Sequence, residues 1–178
     1  MLRKSYIFIA CSLFLLSFSK IDFIGIQEND EYEVKAAFIY NFTKFIEWED
    51  ESLSNSSTFK IVIYKDSPIE EHLNKLLSSK KVKNKKIEVI QISNLSDIPK
   101  AHIVFLPDKT VSKDFKICTQ NSNSSLIISE KQGRLNLGAS INFLNVSNHI
   151  KFEINMNSLK KNKLKASSQL LKLAENVE

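Results

Sequence analysis

The segment Ala101–Leu106 (Ala-His-Ile-Val-Phe-Leu) constrains the fold more than any other. Apolar side chains fall on both sides of an extended chain, which predicts a strand covered above and below, as in a parallel sheet flanked by helices. Phe59–Tyr64 and Ser124–Ser129 are short runs of the same β-branched kind. Between these runs, amphipathic spacing predicts helices over Ile69–Lys80 and Thr110–Gln120. Lys86–Ile92 alternates as a further strand. Strands alternating with helices give an α/β fold with a mostly parallel open sheet.

The flanking segments complete the outline. A helical pattern runs from Glu28 to Trp48, with acidic residues at its start that suit the positive end of a helix dipole. Its aromatic stripe, Phe38, Phe42 and Phe45, is expected to pack in the core rather than to form a ligand box. Ala139–Val146 and Ile150–Ile154 predict an antiparallel hairpin around Ser147-Asn148. A helical turn is expected at Asn157–Lys161. A closing helix is expected over Ala166–Val177, with Ser167 or Ser168 as its cap.

The N-terminus reads as an export signal. Arg3 and Lys4 precede the uncharged apolar run Tyr6–Phe18. Its length is short of the roughly 20 residues a spanning helix needs. Ser17 and Ser19 place a cleavage site before Lys20, so residues 1–19 are read as a signal peptide and 20–178 as one domain. The competing reading is a retained anchor. Lipidation at Cys11 is disfavoured, since only Ile7–Ala10 precede it as an apolar core. The expected location is the periplasm.

Composition narrows the function. The net charge is +5 and falls to +3 once Arg3 and Lys4 are removed. That balance is mild, and export argues against nucleic acid as partner. The lysines at 160, 161, 163, 165 and 172 read as a solvated face. Cys118 is left without an internal disulfide partner and is expected to be buried. The three glycines, Gly25, Gly133 and Gly138, do not follow the first strand, which argues against a nucleotide fold. His72, His102 and His149 show no metal-ligand spacing, and no nucleophile elbow is present. The chain is therefore expected to be no enzyme and to need no cofactor or metal. Asp66 and Glu130, each just past a predicted strand, are the one conceivable acid/base pair.

Four ordered blocks carry a resemblance. They are Val34–Trp48, Ile127–Glu130 with Gly138–Phe143, Ile150–Asn155, and Leu164–Ala174. In this order the chain resembles the YfiR family of bacterial periplasmic proteins from about Glu31 to Ala174. The resemblance implies an exported α/β domain that can form homodimers. It also implies a partner: the outer part of a membrane-anchored diguanylate cyclase, held inactive, or another sensor such as a histidine kinase. Release would raise cyclic di-GMP and favour biofilm. The family brings no catalytic residues. Two departures stand out: Ala139 occupies a position where a second glycine is common, and Cys118 lacks the partner that would allow redox control.

The residues named as a partner or ligand surface are Trp48, Asp66, Glu130, Asn142, Glu153 and Asn155. Trp48 is chosen because tryptophan is enriched at binding hot spots. Asn142, Glu153 and Asn155 can equally satisfy buried groups around the hairpin. A small-ligand binding module is the alternative function.

Overall fold

The computed structural model describes residues 28–178. The expected signal peptide at 1–19 lies outside the described residues. Helix α1, Glu28–Phe45, is followed by a short strand β1, Ile46–Trp48, and one helical turn α2, Glu51–Ser54. Then come β2, Thr58–Tyr64; α3, Ile69–Leu77; β3, Lys81–Val82; and β4, Lys85–Ile92. The next elements are β5, Ile103–Leu106; α4, Ser112–Asn121; and β6, Leu126–Ser129. The chain ends with the hairpin β7, Ile141–Val146, and β8, His149–Ile154; α5, Met156–Lys161; β9, Leu164–Ala166; α6, Ser168–Leu173; and β10, Asn176–Val177.

Eight strands form one sheet in the order β10-β8-β7-β6-β5-β2-β4-β3 among the described residues. β4, β2, β5, β6 and β7 run parallel, and β7 and β8 are antiparallel. The mostly parallel sheet with a C-terminal hairpin is the architecture the sequence predicts. The hairpin turns at Ser147-Asn148 with φ of 51° and 62°, the left-handed pair a two-residue loop requires.

Alternation along the central strands divides the core. Phe59, Ile61, Ile63, Ile103, Phe105, Leu126 and Ile128 face α1 and α3. Val62, Tyr64, Val104, Leu106 and Ile127 face Phe115 and Cys118 of α4. The expected aromatic stripe is core: Phe42 meets Phe152 edge-on at 5.1 Å, and Phe38 meets Phe152 at 5.6 Å. Cys118 is fully buried and unpaired. No described helix is long and apolar enough to cross a membrane.

Two expectations need correction. The first helix stops at Phe45, because Ile46–Trp48 pairs antiparallel with β9 in a separate two-stranded ribbon. The ribbon is sealed where Ser167 N–H donates to the Phe45 carbonyl at 2.9 Å. The closing helix is also shorter than expected. Ser167 caps it by accepting from Leu170 N–H at 3.2 Å, and the chain leaves it after Leu173. Asn176 and Val177 then pair with Glu153 and Ile154, filling backbone positions that the edge of β8 would otherwise leave open.

Candidate functional site

The connections from β2 and β5 leave the sheet in opposite directions, toward β4 and toward β6. Open α/β sheets take ligands at such a switch point, beyond the carboxyl ends of the strands. That edge carries Asp66 and Ser67 after β2, Asp108 and Thr110 after β5, and Glu130 and Arg134 after β6.

Glu130 is the centre of a buried polar cluster. One carboxylate oxygen receives Lys35 Nζ at 2.5 Å; the other accepts from Tyr32 Oη at 3.3 Å and Asp108 N–H at 3.1 Å. The Lys35 and Glu130 side chains are 6% and 2% exposed. Lys35 also meets Glu31 at 2.5 Å, one helical turn earlier, and lies over the Tyr32 ring. Asp66 lies elsewhere, exposed in an open hollow of about 520 Å³ with Ser67, Glu70, Glu71 and Asn74. No hydrogen bond joins Asp66 to Glu130, so the structure does not assemble the conceivable acid/base pair.

Nearby, two further links bind this edge together. Tyr64 Oη donates to Asp114 at 2.7 Å, and Lys65 reaches the same oxygen at 3.3 Å. Burial raises the Tyr64 pKa, while the hydrogen bond from Tyr64 leads in lowering that of Asp114. Arg134 is buried, lies over Phe115, and donates to the Thr110 carbonyl and Ser112 Oγ.

The hairpin residues form a ladder across three strands. Ser129 donates to Asn142 Oδ1 at 2.5 Å, and Asn142 Nδ2 donates to Glu153 at 2.9 Å. The pairing registers Ser129↔Asn142 and Asn142↔Glu153 put these side chains on one face. Asn142 is fully buried, so no partner can touch it directly. Asn155 caps α5 by accepting from Ser158 N–H, and its amide donates to the Leu135 carbonyl. It lines a cleft of about 380 Å³ beside Gly138, Ser158, Lys161 and Asn162. Gly138 has a φ of +104°, the conformation expected of it, and a Cβ there would meet Thr119 Cγ2 at 3.0 Å.

Trp48 stands at the other end of the sheet and in the core. It is 8% exposed, packs edge-on against Phe59 at 5.2 Å, and donates Nε1–H to the His102 carbonyl at 2.9 Å. The six residues named from sequence therefore do not share one pocket: Asn142 and Glu153 are bonded to each other, and Trp48, Asp66, Glu130 and Asn155 stand in four other places. The residues sequence reasoning missed are Lys35, Tyr32 and Arg134. Lys35 had a signal: it falls on the same helical stripe as Ile39, Phe42 and Ile46, where a charge is unexpected.

The comparisons with known proteins fit this architecture. The profile described as YfiR/HmsC-like matches residues 32–175. None of the curated proteins matches the sequence. Among solved structures, the crystal structure of a conserved domain protein from Vibrio cholerae O1 biovar El Tor str. N16961 superposes with a TM-score of 0.51 at 12% identity. The alignment covers 83% of this chain and 60% of that one, so this chain spans about three fifths of the matched protein's length. At that identity the likeness is one of fold alone.

Proposed function

Because the chain belongs to the YfiR/HmsC-like family, we propose that it is a periplasmic regulator that binds the outer part of a membrane-anchored sensor and restrains its output. The sensor class we favour is a diguanylate cyclase, so that release raises cyclic di-GMP; a histidine kinase fits the same scheme. The observation that carries a contact function is the apolar surface left at one edge of the sheet. Leu173 is 64% exposed, Val177 41% and Met156 39%. Val177 pairs beside Ile154, and Met156 N–H donates to the Glu178 carbonyl, so these two lie along the β8–β10 edge, and Leu173 ends α6 three residues before β10. Uncovered apolar groups that lie together support a contact role.

Restraint needs only unequal affinity. A ligand shifts a two-state sensor by as much as its affinities for the two states differ. Asn176, exposed and paired with Glu153, adds a polar group on the same edge. The cleft beside Gly138 and Asn155 favours one second reading, a small-ligand module, and a ligand there would tune partner affinity.

The test is a crosslinked capture from native envelopes, using the protein with its own N-terminal segment and a C-terminal tag. Recovery of one membrane sensor with a cytoplasmic output domain is expected. Leu173→Glu with Val177→Glu should abolish it, since both side chains are exposed and their change spares the core. Recovery of no sensor, from cells where the protein is abundant and folded, would reject this function.

A further inference from the structure

The opposite edge of the sheet carries a second, independent feature. Strand β3 pairs with β4 only at Lys85 and Lys86. Among the described residues no strand pairs with the outer side of β4 from Ile87 to Ile92. On the inner side, the Ile92 carbonyl accepts from Lys65 N–H at 2.7 Å. Parallel pairing turns alternate residues inward, so Ile87, Val89 and Gln91 direct their backbone N–H and C=O groups outward. The edge is also apolar. Half-buried Ile87 and Val89 pack toward the α1 side, and Ile90 and Ile92 toward the α4 side.

The end of this edge is basic. Lys81 and Lys86 are directly opposite each other in the β3–β4 hairpin, and both are exposed. Like charges so placed destabilise a strand pair. Lys83 sits in the connecting turn with a φ of 48°, and Lys80 precedes β3. No carboxylate within ion-pair distance serves Lys80, Lys81, Lys83 or Lys86 among the described residues. The one carboxylate on β4, Glu88, is in register with Lys60 of β2 instead. Lys85 is turned away, donating to the Leu53 and Ser54 carbonyls.

Edge lysines are a known device against unwanted pairing. Here they are all at the hairpin end, and no lysine lies between Ile87 and Ile92, where a strand would add. From this juxtaposition we propose that β4 is a docking edge for an extended acidic segment of a partner protein. The segment adds as a strand beside Ile87–Ile92 and places its carboxylates against Lys81, Lys83 and Lys86. Main-chain hydrogen bonds supply the binding and the lysines select the charge, as in other cases of strand addition. This surface lies across the sheet from the apolar edge assigned above and does not depend on it.

The probe is a fluorescein-labelled peptide, EETVTVTEE, against its basic counterpart KKTVTVTKK, read by fluorescence anisotropy on the purified exported protein. The acidic peptide should bind at least tenfold more tightly than the basic one, and less tightly as salt rises. Gln91→Pro removes one outward N–H at an exposed edge position, where proline is tolerated. It should weaken binding at least tenfold while circular dichroism keeps the wild-type sheet signal. Lys81→Glu with Lys86→Glu should reverse the preference between the two peptides, and decides the matter if the proline variant does not fold. Equal binding of both peptides, or no binding of the acidic one, overturns the proposal. So does a dimer, seen by sedimentation, that excludes the peptide and is lost in Gln91→Pro, because the edge then belongs to a second copy. None of these outcomes bears on capture of a sensor through Leu173 and Val177.

Discussion

His102 joins three segments through one ring. Its Nδ1 accepts from Lys60 N–H at 3.1 Å, and its Nε2 lies 3.0 Å from the Leu53 carbonyl. A ring nitrogen that accepts a hydrogen bond carries no proton, so the proton is on Nε2 and the imidazole is neutral. The ring stacks on Phe59 at 4.2 Å, and the residue's own carbonyl receives Trp48. Protonating Nδ1 would set a proton against the Lys60 N–H. Burial, then the charges of Lys85, Lys83 and Lys60, push the pKa from 6.5 down to about 4, against an opposing pull from the Leu53 carbonyl. The folded pKa lies below the unfolded one, so between these values the unfolded chain binds more protons. This residue's contribution to stability is complete above pH 6.5 and is lost as pH falls toward 4, by about 3 kcal/mol in all. An NMR titration of the His102 ring should show it neutral at pH 5, and urea unfolding should show stability falling between pH 6.5 and 4.5. A ring that titrates near 6.5 in the folded protein would refute the account. A packed His102 was legible in the sequence from its place inside an apolar strand. Its two hydrogen-bond partners were not, because Leu53 and Lys60 are brought to it only by the sheet and the α2 turn.

At the scale of elements, the Lys35–Glu130 pair fastens α1 to the carboxyl end of β6. The two partners are unequally supported. Without Glu130, Lys35 keeps Glu31 at 2.5 Å, in the favourable order of glutamate one turn before lysine. Without Lys35, the buried Glu130 keeps, among the described residues, the Tyr32 hydroxyl and the Asp108 N–H. An uncompensated buried charge costs about 3–5 kcal/mol, whereas apolar replacement of both partners can be neutral. Lys35→Met is therefore expected to lose about 3 kcal/mol and Glu130→Gln about 1–2 kcal/mol, with Lys35→Met/Glu130→Leu recovering most of the loss. Urea denaturation of the four proteins measures this cycle, and equal costs for the two single variants would contradict it. The same scale explains which elements the sequence revealed. Runs such as Ile103–Leu106 announce themselves by composition. Ile46–Trp48 continues a helical apolar pattern without glycine or proline, and only its distant partner Leu164–Ala166 makes it a strand. Asn176 and Val177 are likewise strand only because β8 lies beside them. Local preference yields to tertiary pairing at both places.

For the whole molecule, the two halves of the core share their walls. Phe59, Ile61 and Ile63 of β2 pack with α1 and α3, while Val62 and Tyr64 of the same strand pack with α4. β5 and β6 divide their side chains in the same way. Removing either helical layer exposes strands that the other layer needs, so the two cannot come apart in separate steps. Each half holds one natural reporter. Trp48, the single tryptophan, packs with the α1 side against Phe59. Cys118 lies fully buried on the α4 side, its Sγ 3.3 Å from Ser122 Oγ, and burial pushes its thiol pKa up to about 11. A thiol in that state does not react until the helix leaves the sheet. In a Cys11→Ser background, urea at pH 8 should change Trp48 emission and open Cys118 to a thiol reagent with the same midpoint. Reaction of Cys118 at urea concentrations that leave Trp48 emission native would mean that α4 detaches first, and the sheet would then be held by α1 and α3 alone. A common midpoint would show that the surface at β8–β10 and the edge at β4 are presented by one cooperative body, so that a partner held at one edge meets the other in a fixed relation.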